Sequence, residues 1–442
     1  MRRRVRDHGA EAPDGPVEQK APSTLRVLMS NPLYRGVTVA EFLSALGVSA
    51  AAPQIASFLV KELDASLGAA GLYYLTSLAA PVVGYLVGAR SDRTGRRMGL
   101  FRLCAAAGFF GWLGVAASTH LWMPFVIGVV LLGFAGAAGS QLFAAMHDEM
   151  TRKPSPANDG IVSIARMAMT SGWVIGPAAG TLVASHFGLR EMLVATALCC
   201  GAQIIPLGTL KVAGPEPSKT LSDGEGALRG AGEPGIRAMS GLLIFTGLYL
   251  CVYAGEPVKY AYLPIYMDEQ LHFAPGVRSA IIGIQPLVEL ALMPLVVMLA
   301  RRTGAMWLMA GAAACGVAAN LCFATMTSSA GLFAGQVLMG AVWAVFASLG
   351  IVVAQRLLPT AVATASAIFL SSPALSSALG GLAGGLGATA FGLPHVFFLP
   401  MAFGMIAVVG YLIMASSPKR QRPGTSTPVP NPLPAGASTG SE

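Results

Sequence analysis

Between Arg302 and Lys419 the chain contains a single Lys, Arg, Asp or Glu, namely Arg356. A soluble domain does not leave so long a stretch uncharged, because about 25% of the residues in soluble proteins carry charge. Here the figure is 11% over 442 residues, 54% of them hydrophobic. Hydrocarbon offers the backbone no hydrogen bonds, so long uncharged runs fold as helices that satisfy their own N–H and C=O groups. Twelve such runs can be read, at 36–60, 70–89, 98–118, 121–146, 160–186, 190–210, 238–264, 277–300, 305–326, 331–357, 361–390 and 393–415. Each is near the ~20 residues that a bilayer crossing requires, and the longer ones can tilt. The expected fold is an all-α polytopic membrane protein with twelve transmembrane helices.

The chain is basic, with a formal charge of +8. Sorted by side of the expected membrane, 24 of the 29 Lys and Arg fall together; Lys61, Arg190 and Arg278 lie opposite, and Arg166 and Lys259 lie within spans. Lys and Arg accumulate in cytoplasmic loops, which puts both termini in the cytoplasm. The basic excess is thus a topology signal and not a nucleic-acid surface. The polar start lacks the short apolar core and small-residue cleavage site of a signal peptide. The expected organisation is a disordered tail over 1–30, a six-helix bundle over 31–210, a cytoplasmic linker over 211–237, a second bundle over 238–415 and a disordered tail over 416–442. Gly, Pro, Ser and charge dominate the linker and the last tail, as flexible segments require. The six cysteines (Cys104, Cys199, Cys200, Cys251, Cys315, Cys322) lie in apolar runs without zinc or redox spacing and read as packing residues. No metal or cofactor is expected.

The two halves read as weak copies. "GYLVGARSDRTGRR" ends segment two and "VVMLARRTGAM" ends segment eight, so that Arg93-Thr94-Gly95 falls on Arg302-Thr303-Gly304. At nearly the same shift "GPAAG" (176–180) falls on "GGLAG" (380–384). Two matches, each six spans apart, indicate parallel repeats. The most specific motif is "GARSDRTGRR", residues 88–97. A tight loop needs glycine to turn and cations to hold the topology, yet neither need calls for Asp92. Gly88, Asp92, Arg93, Gly95, Arg96 and Arg97 match the G-x-x-x-D-R-x-G-R-R loop of the major facilitator superfamily, which this chain resembles. The resemblance implies a transporter built from two six-helix repeats and working by alternating access. It also implies that Asp92 faces the N-terminus of helix eleven. A loop arginine would pair with Asp148 or Glu149 at the end of helix four, and such latches bias one gate state.

Gly172, Gly176, Pro177 and Gly180 match the G-x-x-x-G-P-x-x-G pattern of helix five in major facilitator antiporters. Small residues let helices approach closely and proline bends the rod; taken alone, the segment equally suits a tightly packed helix pair. "SQLFAAMHDEM" (140–150), "SIARMAMTSGWVIGPA" (163–178) and "QPLVELALMP" (285–294) resemble the bacterial sugar efflux branch, a likeness running over roughly 32–415. It implies transport roles for Gln141, Arg166, Trp173 and Glu289. Glu256 and Lys259 in helix seven and the eroded second-half loop depart from that branch.

Position argues for some of the same residues. Glu289 lies ~18 Å into helix eight at 1.5 Å per residue, near the middle of a ~30 Å core. A carboxylate so deep resists ionisation, as a proton-coupling group requires. Gln285, one turn away on the same face, can join it on a hydroxylated ligand. Arg166, ~9 Å into helix five, is either a cavity counter-charge and substrate donor or a snorkelling side chain. Glu256 and Lys259, three apart toward the outer end of helix seven, read as an outer gate or a structural ion pair. Gln54, Asn320 and Gln336 suit a sugar path or interhelical hydrogen bonds. Trp173 reads as a sugar-stacking ring or as packing, and Glu41, a turn into helix one, as interfacial.

No nucleophile elbow, H-E-x-x-H helix, paired intramembrane aspartates or G-x-x-x-x-G-K-[ST] loop occurs, so neither an enzyme nor an ATP-driven pump is expected. The expected function is export of sugars or sugar-like small molecules by proton antiport across the bacterial plasma membrane, carried out by a monomer. The alternative is proton-coupled export of a drug or secondary metabolite, which the helix-five pattern and 20 methionines leave open.

Overall fold

The computed structural model describes residues 24–210, 236–359 and 361–416, and among them every regular element is helical. Eleven helices are individually long and apolar enough to cross a membrane, and a bent pair makes a twelfth span. That pair is α1, Pro32–Ala51 continued by Ile55–Leu63 at 47°. Pro53 sits in the break, where its missing N–H and its ring disrupt the helical ladder. There follow α2 (Leu67–Thr94), α3 (Arg97–Ala116), α4 (Trp122–Arg152), α5 (Asn158–Phe187) and α6 (Leu189–Leu207). The second half contains α7 (Met239–Gln270), α8 (Pro275–Thr303), α9 (Ala305–Thr325), α10 (Ser329–Leu357), α11 (Val362–Phe391) and α12 (His395–Ser416).

One expectation fails at the start of the chain. Thr24–Ser30 is a short helix where a disordered tail over 1–30 was expected. Leu28 buries into the apolar cluster around α1 and α4, and the Asn31 side chain then accepts from the Leu33 N–H while Pro32 opens α1. Such a cap ends one helix and starts the next. The rest of that tail, nearly all of the linker and residues 417–442 lie outside the described residues.

Glycines set the packing inside each half. α5 lies along α1, and a Cβ on Gly172 would fall 2.7 Å from the Leu46 nitrogen and 2.8 Å from the Phe42 oxygen. Gly176 and Gly180 meet Leu46, Ser49 and Ala50 in the same way. In the second half, Gly380 rests on the backbone of Ala254 and on Pro257 in α7, and Gly384 on Val258 and Tyr262. The α1–α5 seam thus recurs as an α7–α11 seam, the structural form of the internal repeat.

The halves meet along only part of their length. The face that carries Arg93, Arg152, Arg302 and Arg356 is here called the basic face, and the opposite one the far face. Toward the far face, Gly68 and Gly71 of α2 lie against Gly381 and Gly385 of α11, and Gly283 of α8 against Ala178 of α5. The Tyr262 hydroxyl donates to the Leu67 oxygen (3.0 Å) and the Ser77 hydroxyl to the Ala374 oxygen (3.1 Å). Lys61 of α1 and Arg278 of α8 both pair with Asp268 at the end of α7. Toward the basic face the halves part: a Cβ at Gly84 or Gly88 would touch nothing, and the Asp92 side chain is 69% exposed. The structure is closed at the far face and open at the basic face.

Candidate transport site

The centre of the second bundle holds the densest polar cluster within the spans. α7 breaks at Ala254, between a helix ending at Tyr253 and one starting at Gly255. Asn320 of α9 packs behind Gly255, its Nδ2 3.6 Å from where a Cβ would be. The helix resumes with Glu256 and Lys259 on one face, and Lys259 is only 1% exposed. Its Nζ pairs with Glu256 Oε1 at 2.6 Å and donates to the Gln285 side-chain oxygen of α8. Gln285 Nε2 donates back to Glu256 Oε1 (3.2 Å), and the indole N–H of Trp343 in α10 donates to Glu256 Oε2 (2.9 Å). Tyr260 places its ring 4.4 Å from Nζ, a cation–π contact that suits a desolvated ammonium. Glu289, one turn along α8 from Gln285, is part-buried, within electrostatic reach of both Glu256 and Lys259, and in no ion pair among the described residues.

This arrangement corrects the placement of Glu256 and Lys259. The expected ion pair is present, but α7 runs on to Gln270, several residues past the apolar run, so the pair lies near mid-helix rather than toward the outer end and joins Gln285. Trp343 has no distinguishing mark in the sequence beyond a general one: a part-buried indole must find an acceptor. Its ring also packs edge-on against Tyr253, at 4.8 Å between centroids.

Other expected site residues take no part in the hydrogen bonds of this cluster. Arg166 is exposed, with its guanidinium 5.9 Å from the centre of the Phe143 ring and no ion pair among the described residues. Trp173 is 38% exposed. Gln54 donates to the Thr181 hydroxyl (2.8 Å), tying the break of α1 to α5. Asn320 donates to the Gly316 oxygen, while its own side-chain oxygen and those of Gln141 and Gln336 are buried without a partner. Pro177 lies inside α5, which continues unbroken from Asn158 to Phe187. Glu41 is buried and not interfacial, because the helix begins earlier than the apolar run does.

In the basic-face loop, Gly95 takes a left-handed conformation (φ 63°) that ends α2. Arg97 pairs with Asp148 of α4 at 3.0 Å, and also with Asp92 and the Ser91 hydroxyl. Glu149 is held by Arg152 and Lys153. Asp92 is thus engaged by Arg97 within its own loop. Among the described residues Arg93 and Arg96 form no ion pair.

Comparison with known proteins agrees with this architecture. The Major Facilitator Superfamily profile matches residues 37–330 and, a second time, residues 245–438. The chain belongs to the Major Facilitator Superfamily. It is a multi-pass membrane transporter and not an enzyme. Among similar proteins of this superfamily, sugar efflux transporter A of Dickeya chrysanthemi is 25% identical over 82% of this chain and 91% of its own length. Sugar efflux transporter A of Escherichia coli is 22% identical over 86% and 95%. A Deinococcus radiodurans protein, provisionally named for sugar efflux, is 27% identical over 84% and 95%. The crystal structure of the nucleoside transporter NupG superposes with a TM-score of 0.68 at 17% identity, over 86% of this chain and 98% of that one. That of a D-xylose-proton symporter gives 0.64 at 14% identity, over 86% and 96%. At such identities the solved structures speak for the fold alone.

Proposed function

We propose that this transporter exports sugars or sugar-like small molecules across a bacterial inner membrane in exchange for protons. The observation that carries the reading is the central cluster, in which two acids, Glu256 and Glu289, share one cation, Lys259. Fully ionised, it leaves one negative charge uncompensated where desolvation is costly; with one proton bound it is neutral. Glu256 is committed to Lys259, Gln285 and Trp343, so Glu289 is the acid that takes the proton and releases it in the other conformation. Lys259 and Gln285 offer donors, the Gln285 and Glu256 oxygens offer acceptors, and the Trp343 ring offers a stacking face to a hydroxylated ring. The names of the relatives support sugar as the cargo.

The basic face is cytoplasmic by the distribution of Lys and Arg, so the open cavity loads from inside. When that side closes, Arg166 and Trp173 of α5 approach the cluster from the first bundle and Asp92 meets the start of α11. The glycine seams keep each bundle rigid while the two rock as a monomer. The aromatic group of Tyr249, Tyr253, Trp343 and Phe346 around the cluster favours a second reading, export of an amphipathic drug or metabolite.

Inverted membrane vesicles test both. Labelled lactose and glucose analogues are offered with and without an imposed pH gradient, to wild type and to Glu289→Gln. Gradient-driven uptake that the variant loses supports sugar/proton antiport. Absence of sugar uptake by wild-type protein verified in the membrane discards sugar as the cargo.

A further inference from the structure

We propose that Glu41 is a second proton-binding carboxyl, housed in the first bundle and protonated in the conformation open at the basic face. Glu41 lies in the first segment of α1, is 5% exposed, and has a buried Oε1 without a hydrogen-bond partner. Glu256 presents the contrast, since it is equally buried but held by Lys259, Gln285 and Trp343.

The Glu41 carboxyl rests against the backbone of Gly139. A Cβ on Gly139 of α4 would stand 3.0 Å from Oε1 and 3.4 Å from Oε2, so glycine at 139 is what leaves room for the carboxyl. Gly139 lies in the first turn of the regular stretch Ala138–Arg152, directly after α4 is interrupted by a π-turn at Gly128–Leu132 and a turn at Gly136 and Ala137. The acid rests where α4 is least regular, and hence where a shift of α4 would admit water to it.

Among the described residues, charged groups on the neighbouring elements do not pair with it. On α4, Asp148 is taken by Arg97, Glu149 by Arg152 and Lys153, and His147 is exposed. On α5, Arg166 lies over Phe143 and the exposed His186 bonds the Leu182 oxygen. On α6, Arg190 pairs with Glu62 and Glu191 is exposed, as are Arg26 before α1 and Arg35 within it. A carboxylate with no ion-pair partner among the described residues and one oxygen buried without a donor is far costlier than the neutral acid, so the proton stays on. The site stands without the export reading; only its use as a second coupling proton, one in each bundle, rests on that reading.

Dicyclohexylcarbodiimide tests the site without any substrate. A protonated carboxyl gives its proton to the carbodiimide nitrogen, and the carboxylate then adds to the central carbon. The O-acylisourea rearranges to a stable N-acylurea, so the whole reagent is added and nothing leaves. Full-length protein in lipid nanodiscs is treated at pH 7.5, and the peptides are weighed by mass spectrometry. We expect Glu41 to be labelled at least roughly tenfold more than the exposed acids Glu191 and Glu269, because burial favours the neutral, reactive acid. Glu289→Gln, which disables the export reading, should leave that adduct in place, and Glu41→Gln should remove it. Labelling of Glu41 no stronger than that of Glu191 and Glu269, or its loss in Glu289→Gln, overturns the proposal. Thermal melting at pH 7.5 adds a check free of reagent access. A neutral acid is matched by glutamine, so Glu41→Gln should melt within a few degrees of wild type, and a collapse of the fold would instead reveal an ionised, paired Glu41.

Discussion

Replacing Gly71 by alanine should open the far face. A Cβ on Gly71 would fall 2.5 Å from the Tyr262 hydroxyl oxygen, 2.6 Å from the Gly385 Cα and 2.7 Å from the Gly381 oxygen. All three belong to the opposite bundle, and two are backbone atoms that cannot rotate away. Overpacking of this kind costs about 1–3 kcal/mol. Here the strain vanishes when the bundles separate at the far face, so it weighs on one conformation only. A bias of that size changes the ratio of two states by roughly 5- to 150-fold. Ser57 is a suitable reporter, because it is 5% exposed and lines a cavity of about 300 Å³ between the halves at the far face. In a background without the six native cysteines, Ser57→Cys would be labelled with a membrane-impermeant maleimide added from the far side. The labelling rate should rise with the open population, by the same roughly 5- to 150-fold factor. A Gly71→Ala protein that melts lower but labels at the parental rate would refute the reasoning, since the glycine contact would then persist in both conformations.

The same assay separates other positions. Gly180→Ala strains the α1–α5 seam inside one bundle, against the backbone of Ala50, so it should lower stability by about 1–3 kcal/mol without changing Ser57→Cys labelling. Lys61→Gln removes the first-bundle cation from Asp268; that ion pair is about one-third exposed, worth ~0.2–1 kcal/mol. Labelling should rise no more than about fivefold, and high salt should erase the difference between variant and parent. Trp343→Phe keeps the ring but removes the N–H donated to Glu256; a hydrogen bond to a charged group contributes about 1.5–3 kcal/mol. The loss should appear as a lower melting temperature, and an unchanged melt would mean that water takes the indole's place.

Hydropathy led to the number of spans, and the internal motif matches with the 88–97 loop led to the two-repeat plan. Uncharged runs located the spans, and the one-sided Lys and Arg ordered them. The helix-five glycines at 172, 176 and 180 signalled close helix approach in the first half, whereas those at 380 and 384 signalled only the repeat, and their seam with α7 emerged from the packing. The polar centre was half legible. Glu289 and Gln285 stood out as polar groups deep in an apolar run. Glu256 and Lys259 were misplaced because a helix does not stop where hydrophobicity does, and each residue of error moves a side chain ~1.5 Å along the axis. Glu41 was misread for the same reason at the start of α1. The far-face ion pairs of Lys61, Asp268 and Arg278 join residues from three helices, and no local pattern announces a contact between chain segments so far apart. Gly71 and Gly385 were equally silent: in a chain with 53 glycines, which of them face the other bundle is decided by tertiary packing.

The far-face closure has two layers of different chemistry. The outer one, Lys61 and Arg278 on Asp268, is electrostatic and weakens as salt rises. Beneath it, Gly68, Gly71, Gly381 and Gly385 bring the two backbones together, edged by the uncharged side chains of Tyr74, Tyr262 and Thr389. The inner layer carries no formal charge, so ionic strength acts on the closure through the rim of Lys61, Arg278 and Asp268 alone.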